Sequence, residues 1–363
     1  MEDLEMTREF WNGRSVFLTG HTGFKGGWLS LWLQRMGARV SGYALAPAHE
    51  HGIFTSARLA DGMASTIADV RDARLLCSAL ATAAPDIVLH FAAQPLVRAS
   101  YAIPAETYDV NVMGTVNFLE AVRATQSVQV AIIVTSDKCY ENREWPWGYR
   151  ETDHMGGKDP YSSSKGCAEL VTAAYRHSFF AESGVALATV RAGNVIGGGD
   201  WAEDRLIPDM MRAWTRREPL RIRYPHAIRP WQHVLEPLRG YLMLAERLWN
   251  HGTDCAEGWN FGPREEDACP VDWLVRQGTR FWGDGVTWET DNSNHPHEAH
   301  YLKLDCSKAR VHLGWYPMVD VAKALEWTID WYRAQHEGKT DMRTFTQEQM
   351  DCYEQLMSGT NQQ

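Results

Sequence analysis

The sequence predicts an α/β fold: one doubly wound parallel sheet with a smaller mixed α/β lobe attached. Three observations carry this. Strand and helix signals alternate through the first half, the pattern of a parallel sheet covered by helices on both faces. A glycine-rich turn near the start joins a strand directly to a helix. At 363 residues the chain is too long for one small core and suits one large α/β unit with an added lobe. The pattern divides the chain into a sheet-forming part over residues 1–195, to which segments near 230–262 return, a lobe over 196–340 and a C-terminal tail over 341–363.

The elements follow in order. Val16 to Thr19 have strand character and run into glycines at 20, 23 and 26. Phe24, Trp28, Leu31 and Trp32 then repeat at helix spacing, and Gly37 is placed to stop that helix. Strands are expected over 38–43, 65–68, 86–91, 130–135 and 186–191; the fourth in the chain, Asp86-Ile-Val-Leu-His-Phe91, is nearly all apolar, as a strand covered on both faces should be. Helices are expected at about 107–124 and over 160–181. Beyond Gly197-Gly-Gly-Asp200 the alternation gives way to helices and loops rich in Arg, His, Pro and Trp, with Trp259-Asn-Phe-Gly262 returning to the sheet as one more strand. The polar end, Ser358 to Gln363, is expected to fray.

Composition excludes several classes. A net charge of -10 repels nucleic acid and anionic membrane on average, so a phosphorylated ligand needs basic residues gathered locally. No run of eighteen apolar residues exists, and Met1-Glu-Asp-Leu-Glu5 is too acidic for a signal peptide. Seven scattered cysteines with no C-x-x-C pair suit reduced thiols in the cytoplasm better than disulfides or zinc. Most of the sixteen tryptophans are expected in core packing and aromatic surface.

Two stretches carry chemistry. A strand turning sharply into a helix leaves unpaired N–H groups and a positive dipole end in the turn, which binds phosphate, and glycines let a pyrophosphate come close. The spacing in Gly20-His-Thr-Gly-Phe-Lys-Gly26 is G-x-x-G-x-x-G, so this is read as a cofactor's pyrophosphate site, although it is not the commonest dinucleotide fingerprint. Strand two runs into Tyr43-Ala-Leu-Ala-Pro47 with no acid for the adenosine ribose and no Arg, which argues against NADP. Asp69 is a candidate for the adenine edge or, equally, for a helix N-cap. In the second stretch, Asp159-Pro-Tyr-Ser-Ser-Ser-Lys165, Asp159 suits an N-cap and Pro160 the first helical position, which sets Tyr161 and Lys165 one turn apart. An ammonium near a phenol stabilises the phenolate and makes Tyr a usable general base. Ser136, Asp137 and Lys138 follow strand five directly, at the carboxyl edge of the sheet where such folds bind ligands.

On these residues the chain resembles the extended short-chain dehydrogenases/reductases, and among them the nucleotide-sugar 4,6-dehydratases, most nearly the CDP-glucose branch. The match runs through Thr19 to Trp28, Leu89 to Val97, Val134 to Tyr140, Tyr161 to Lys165, Arg191 to Trp201, Arg229 to Val234 and Leu313 to Pro317, covering about residues 10 to 335. It implies a Rossmann-like sheet binding NAD and a lobe binding a nucleotide-diphosphate hexose. It implies cofactor contacts from Gly20, Thr22, Gly23, Phe24, Lys25, Gly26, Asp69, Val70, Phe91, Ala92, Ala93, Thr135, Tyr161 and Lys165. It implies substrate contacts from Gln94, Asn194, Arg205, Arg223, Arg229, His297 and Glu298. Catalysis would fall to Ser136, Asp137, Lys138, Tyr161 and Lys165, converting the sugar to a 4-keto-6-deoxyhexose by C4 oxidation, loss of water across C5 and C6 and return of hydride to C6. The dTDP-glucose branch carries Asp-Glu where this chain has Asp137-Lys138; Lys138 either takes the C5 proton as a neutral base or stabilises the enolate as a cation. The resemblance also implies deoxysugar synthesis for lipopolysaccharide O-antigen, a homodimer or homotetramer formed through the helices near 107–124 and 160–181, and no metal. The three imidazoles of His295-Pro-His-Glu-Ala-His300 lack supporting Cys or carboxylate spacing and match a substrate loop of the family.

Two other readings differ in testable ways. A nucleotide-sugar 4-epimerase or decarboxylase shares everything except the need for Asp137 and Lys138, and its product keeps C6 hydroxylated or loses carbon. A silent NAD-binding sensor or scaffold usually lacks the Tyr or Lys of the catalytic helix, and both are present here.

Overall fold

The computed structural model describes residues 7–283, 285–291, 293 and 301–360. Seven parallel strands form one sheet: β1 (Ser15–Thr19), β2 (Arg39–Ala44), β3 (Ala64–Ile67), β4 (Ile87–His90), β5 (Val130–Val134), β6 (Ala186–Arg191) and β7 (Gly258–Asn260). Their order is β7-β6-β5-β4-β1-β2-β3, with the reversal of winding between β1 and β4. A doubly wound sheet opens its ligand crevice there, outside the carboxyl ends of the strands. β1, β4, β5 and β6 are buried along their whole length, which is why they read as apolar runs without alternation.

The labelled helices are α1 (Phe24–Arg35), α2 (Ala73–Ala83), α3 (Gly114–Arg123), α4 (Pro160–Tyr175), α5 (Leu206–Thr215), α6 (Leu235–His251), α7 (Val271–Trp282), α8 (Val321–Glu337) and α9 (Met342–Thr360). Gly37, at φ +86°, takes the left-handed turn that ends the α1 segment. The helix expected over 107–124 is a short helix, Pro104–Tyr108, a π-helical stretch, Asp109–Met113, and then α3. The second expected helix likewise changes after Tyr175 into a π-helical stretch, Arg176–Phe180. Such widening defeats a strict 3.6 period, so spacing alone does not find it.

Segments after 230 pack on and pair with the sheet. α6 packs on β5, β6 and α1, and β7 pairs in parallel with β6, Trp259 beside Val190. The remaining strands are short pairs: Val195–Ile196 with Gln232–His233, Leu220–Ile222 with Trp288–Thr290, and Ile228–Pro230 antiparallel to Ala268–Pro270. One apolar core runs from Val16 and Trp28 through Leu242 to Met210, Trp214 and Leu274, so sheet and lobe share a single interior.

The C-terminal stretch differs from the expected tail. Residues 342–360 form α9, packed on α1 and α8. Buried Trp32 and Tyr353 meet edge to face at 5.9 Å, and the Trp32 indole N–H donates to Glu354 at 2.9 Å. Tyr353 donates its hydroxyl to buried Glu236 at 2.8 Å, and Glu236 also accepts the Met318 and Val319 N–H groups at 2.9 and 2.7 Å. A polar composition hides this helix because its partners are 117 to 322 residues away.

Glu246, on α6, accepts the Trp11 indole N–H at 2.7 Å, and burial pushes its carboxyl up to about 8. A raised carboxyl favours the folded state below the ordinary value of 4.5, and that contribution is lost as pH rises through 8. Glu246→Gln keeps an acceptor for Trp11 without a titrating charge. The expected result is a higher melting temperature than the parent at pH 9 and no difference at pH 4; equal melting temperatures at both would refute the assignment.

Candidate active site

The glycine turn is built as its spacing requires. Gly20 has φ +74°, and an added Cβ there would lie 2.8 Å from the Ala92 nitrogen; at Gly26 it would lie 2.2 Å from the Gly20 carbonyl oxygen. Both glycines are therefore demanded by the turn and by its contact with the chain leaving β4. Gly23 is different: a Cβ there would meet nothing of the protein closer than 3.4 Å. Its side-chain position is open, and the N–H groups of Phe24, Lys25 and Gly26 make no backbone hydrogen bond among the described residues. An open glycine beneath three unsatisfied donors at a helix N-terminus fits a dinucleotide pyrophosphate.

The neighbours of this turn are mixed. Thr22 donates its hydroxyl to the Leu45 carbonyl at 2.9 Å, and Leu45, exposed, stands where an acid usually follows strand two. His21 lies over Gly42 of β2 and bonds Ser65 at 2.7 Å; burial pushes its imidazole down to about 4. Phe24 packs towards Gly197. Phe91 and Ala92 bond Thr19 through their N–H groups, which holds the end of β4 against the turn and leads into Ala93.

Three expected cofactor contacts have other duties here. Thr135 donates its hydroxyl to Glu169, and its N–H goes to the Val190 carbonyl at 2.9 Å, so neither group faces the crevice. Val70 is core, lying against Gly114. The Asp69 carboxylate is held by Arg71 through Nε at 3.0 Å and Nη2 at 2.6 Å, which keeps it below its ordinary range; the N-cap of α2 is Asp72, not Asp69.

Helix α4 begins as its sequence predicts, with Asp159 accepting the Ser162 N–H at 2.9 Å and Pro160 in the first turn. Tyr161 is buried, its N–H donated to Ser100 at 3.2 Å. Burial pushes its phenol up to about 12, opposed by a hydrogen bond with Ser136 and by the Arg205 cation. Ser136 donates to buried Asp137 at 2.9 Å and accepts the Lys138 N–H at 3.2 Å. The Ser136 hydroxyl thus donates to the Asp137 carboxylate and bears on the Tyr161 phenol as well. Lys165 is pushed down to about 8 by burial, against the pull of Glu169, and donates to the Val134 carbonyl at 3.3 Å. Among the charges that bear on the phenol, the Arg205 cation lowers it while the Asp137 and Asp159 carboxylates raise it.

Lys25 joins the phosphate turn to this group. Its ammonium is pushed down to about 8 by burial, then by the Arg205 and Lys165 cations, with Asp137 and Asp200 pulling the other way. Arg205 pairs with Asp200 at 2.8 Å, and its cation acts on Lys25 and Tyr161. Asn194 is in the left-handed region at φ +47°, just before the short strand Val195–Ile196. Arg229 lies on the strand Ile228–Pro230 and donates to the Ile228 carbonyl at 3.0 Å. Arg223 pairs with Asp204 at 2.8 Å. Gln94 bonds the Leu96 backbone through both ends of its side-chain amide and donates to Thr107 on the helix Pro104–Tyr108. His297 and Glu298 lie outside the described residues, with the rest of the His295–His300 stretch.

Two residues given no part by their spacing prove essential to the geometry. Glu169, a turn beyond Lys165, forms a buried ion pair with Arg191 at 2.8 Å. Gly193 lies so close to Asp137 that an added Cβ would come within 1.8 Å of Oδ2. The i, i+4, i+8 series of Tyr161, Lys165 and Glu169 was the available signal for the first; nothing in the sequence pointed to the second.

The sequence model of the family described as GDP-mannose 4,6 dehydratase matches residues 17–328. A CDP-glucose 4,6-dehydratase of Salmonella typhimurium is 54% identical over 358 residues, covering 97% of this chain and 99% of that protein. A dTDP-glucose 4,6-dehydratase of Xanthomonas campestris pv. campestris is 26% identical, covering 87% of this chain and 92% of that protein. Among solved structures, a UDP-glucose-4-epimerase from Stenotrophomonas maltophila superposes with a TM-score of 0.78 at 21% identity, covering 90% of this chain and 99% of the other. That likeness speaks to the fold.

The Gly193 contact can be tested alone. Gly193→Ala should destabilise the protein by about 1–3 kcal/mol, the usual range for overpacking, and the cost should largely vanish when Asp137 is also Ala. Urea unfolding of the four proteins of this cycle checks it; equal costs in both backgrounds would show that the collision is elsewhere.

Proposed function

From the chain's membership of the GDP-mannose 4,6-dehydratase family, we propose that it converts CDP-D-glucose to CDP-4-keto-6-deoxy-D-glucose, with NAD held at the glycine turn. The carrying observation is the hydroxyl of Ser136 between Asp137 and Tyr161, which sets an acid beside the C4 base. A 4-epimerase or decarboxylase has no use for such an acid. The CDP-sugar is favoured by the 54% identity to a protein of that activity, at nearly full length in both. NAD supplies the acceptor, and later the donor, of one hydride.

Tyr161 takes the proton of the sugar 4-hydroxyl. Ser136 and Arg205 oppose the burial that raises the phenol, so both help the base form. Once C4 is a ketone, the C5 proton is acidic, and Lys138 either receives it or stabilises the enolate. Asp137 gives a proton to the departing 6-hydroxyl, without which hydroxide is a poor leaving group. Lys165 holds the nicotinamide ribose in this reading, its ammonium steadied by the Val134 carbonyl until then. Arg205, Arg223 and Arg229 serve the diphosphate, for which the guanidinium fork is suited. The substrate lobe is assigned to residues 196–340 and the cofactor half to 1–195.

The chain is further proposed to work in the cytoplasm, in deoxysugar synthesis for O-antigen, as a dimer or dimer of dimers. Tyr108, Met113, Leu170 and Phe179 are large apolar residues exposed on the two helical stretches assigned to subunit pairing. A strictly monomeric mass at working concentration would refute the assembly.

Product mass after incubation with CDP-, dTDP-, GDP- and UDP-hexoses tests the reaction; loss of one water from CDP-glucose is expected, and a product isomeric with its substrate would favour the epimerase. Asp137→Asn should form enzyme-bound NADH yet lose about 10²–10⁴-fold in product, the usual share of general acid catalysis, whereas Tyr161→Phe should form no NADH. Product at the parent rate from Asp137→Asn would remove Asp137 from the acid's role. Ser136→Ala should move the acid limb of the kcat/KM profile to higher pH, because the lost hydrogen bond lowers the phenol's pKa; an unmoved limb would separate Ser136 from the base.

A further inference from the structure

Asp204 holds two guanidinium groups on one carboxylate oxygen. Its Oδ1 accepts Arg98 Nη1 at 2.9 Å and Arg223 Nη1 at 2.8 Å, and Arg223 Nη2 also reaches the Asp204 carbonyl at 3.3 Å. The two arginines come from different parts of the fold, one from the sheet half and one from the lobe. Arg98 is on the short helix Val97–Ala102, which follows β4 and carries Ser100, the acceptor of the Tyr161 N–H. Arg223 follows the lobe strand Leu220–Ile222. The next residue in the chain after Asp204 is Arg205, whose cation acts on Tyr161 itself. Three guanidinium groups are thus arranged from the catalytic phenol outward, two of them converging on a single carboxylate.

The pairs on Asp204 are exchangeable. Its side chain is 41% exposed, and those of Arg98 and Arg223 are 42% and 24% exposed. Such ion pairs contribute little net stability, in contrast to Glu169–Arg191, whose side chains are 5% and 4% exposed. Asp204 also has φ +59°, a conformation that Asp adopts less readily than Gly or Asn and that aims its carboxylate from a tight turn. Among the described residues, Asp209 and Asp204 are the carboxylates that bear on this cluster; Arg212 is drawn to Asp209 at 2.5 Å, and Asp204 is the anion that Arg98 and Arg223 share.

We propose that Asp204 is a placeholder carboxylate, that the substrate's diphosphate displaces it, and that Arg98 is thereby a diphosphate ligand drawn from the sheet side of the crevice. The proposal rests on the reading of the substrate as a nucleoside-diphosphate sugar. A diphosphate offers several acceptor oxygens where Asp204 offers one to two forks, and it carries more charge, so the exchange favours the substrate. The same exchange ties the lobe to the sheet through the ligand. A nucleoside monophosphate, lacking the second phosphate, gains little from it.

The test compares the binding of CDP and CMP, by calorimetry, to the parent, Arg98→Ala and Asp204→Asn. Asn tolerates the left-handed region, so the second variant keeps the turn while removing the competing charge. Arg98→Ala should weaken CDP by about 10–100-fold, the worth of charged hydrogen bonds, while moving CMP by less than about threefold; KM for the sugar nucleotide should rise more than kcat falls. Asp204→Asn should tighten CDP by about 3–10-fold and make its binding more sensitive to salt. An unchanged CDP-to-CMP ratio in Arg98→Ala overturns the proposal, as does an Asp204→Asn protein that loses CDP affinity as Arg98→Ala does. UDP with UMP, and dTDP with dTMP, are titrated in parallel. A preference for another base corrects the assigned nucleotide and the variants are then scored on that pair. A parent that turns over sugar nucleotides but binds the diphosphate no better than the monophosphate overturns the placeholder while sparing the proposed reaction.

Discussion

The buried ion pair of Glu169 and Arg191 is the constraint on which the site depends. The carboxylate accepts Arg191 Nε and Nη2, each at 2.8 Å, together with the hydroxyls of Thr189, at 2.7 Å, and Thr135. Arg191 also reaches the Tyr140 hydroxyl, which donates to Asn260 at 2.8 Å. The network therefore ties α4 to the ends of β5 and β6, to β7, and to the loop that carries Asp137. A buried pair gains little over apolar packing, but losing one partner strands a charge in the interior. What this pair contributes is position: Lys165 lies a turn from Glu169 on the same helix, and Ser136 follows Thr135 in the chain. Moving the carboxylate would move both.

Electrostatics joins the phosphate turn to the catalytic helix. Lys25 and Lys165 are both pushed down by burial, and each feels carboxylates, Asp137 and Asp200 for one and Glu169 for the other. These two lysines and Arg205 gather basic side chains locally within a protein of net charge -10. Local gathering of basic groups is what an acidic protein with a phosphorylated ligand requires.

The lobe is anchored by shared interior as well as by chain connection. Trp214 and Leu274 belong to the same apolar core as Val16 and Leu18, and Trp28 donates its indole N–H to the Gly198 carbonyl at 2.9 Å. Gly198 leaves no room for a side chain, since a Cβ there would fall 2.0 Å from the Trp331 ring. The run of glycines after β6 is thus a packing requirement where sheet, lobe and α8 meet, and many of the tryptophans fill that junction.

Sequence alone determined the doubly wound sheet, the glycine turn, the entry of α4 and the return of β7. These are set by local periodicity, capping and φ preferences, which act over a few residues and are written in order along the chain. It also brought Ser136, Asp137, Tyr161 and Lys165 to one edge, because strand ends in a parallel sheet share a side. Tertiary structure decided the rest. It turned the polar C-terminus into a packed helix through Glu236, Tyr353 and Trp32, and it gave the Thr135 hydroxyl to Glu169 and set Val70 against Gly114. It brought the Arg205 cation to bear on the phenol, and it required Gly193 because Asp137 needs its space. Each of these is a contact between residues far apart in the chain, and burial, which sets both the cost of an unpaired group and the direction of a pKa shift, exists only once the chain has closed around it.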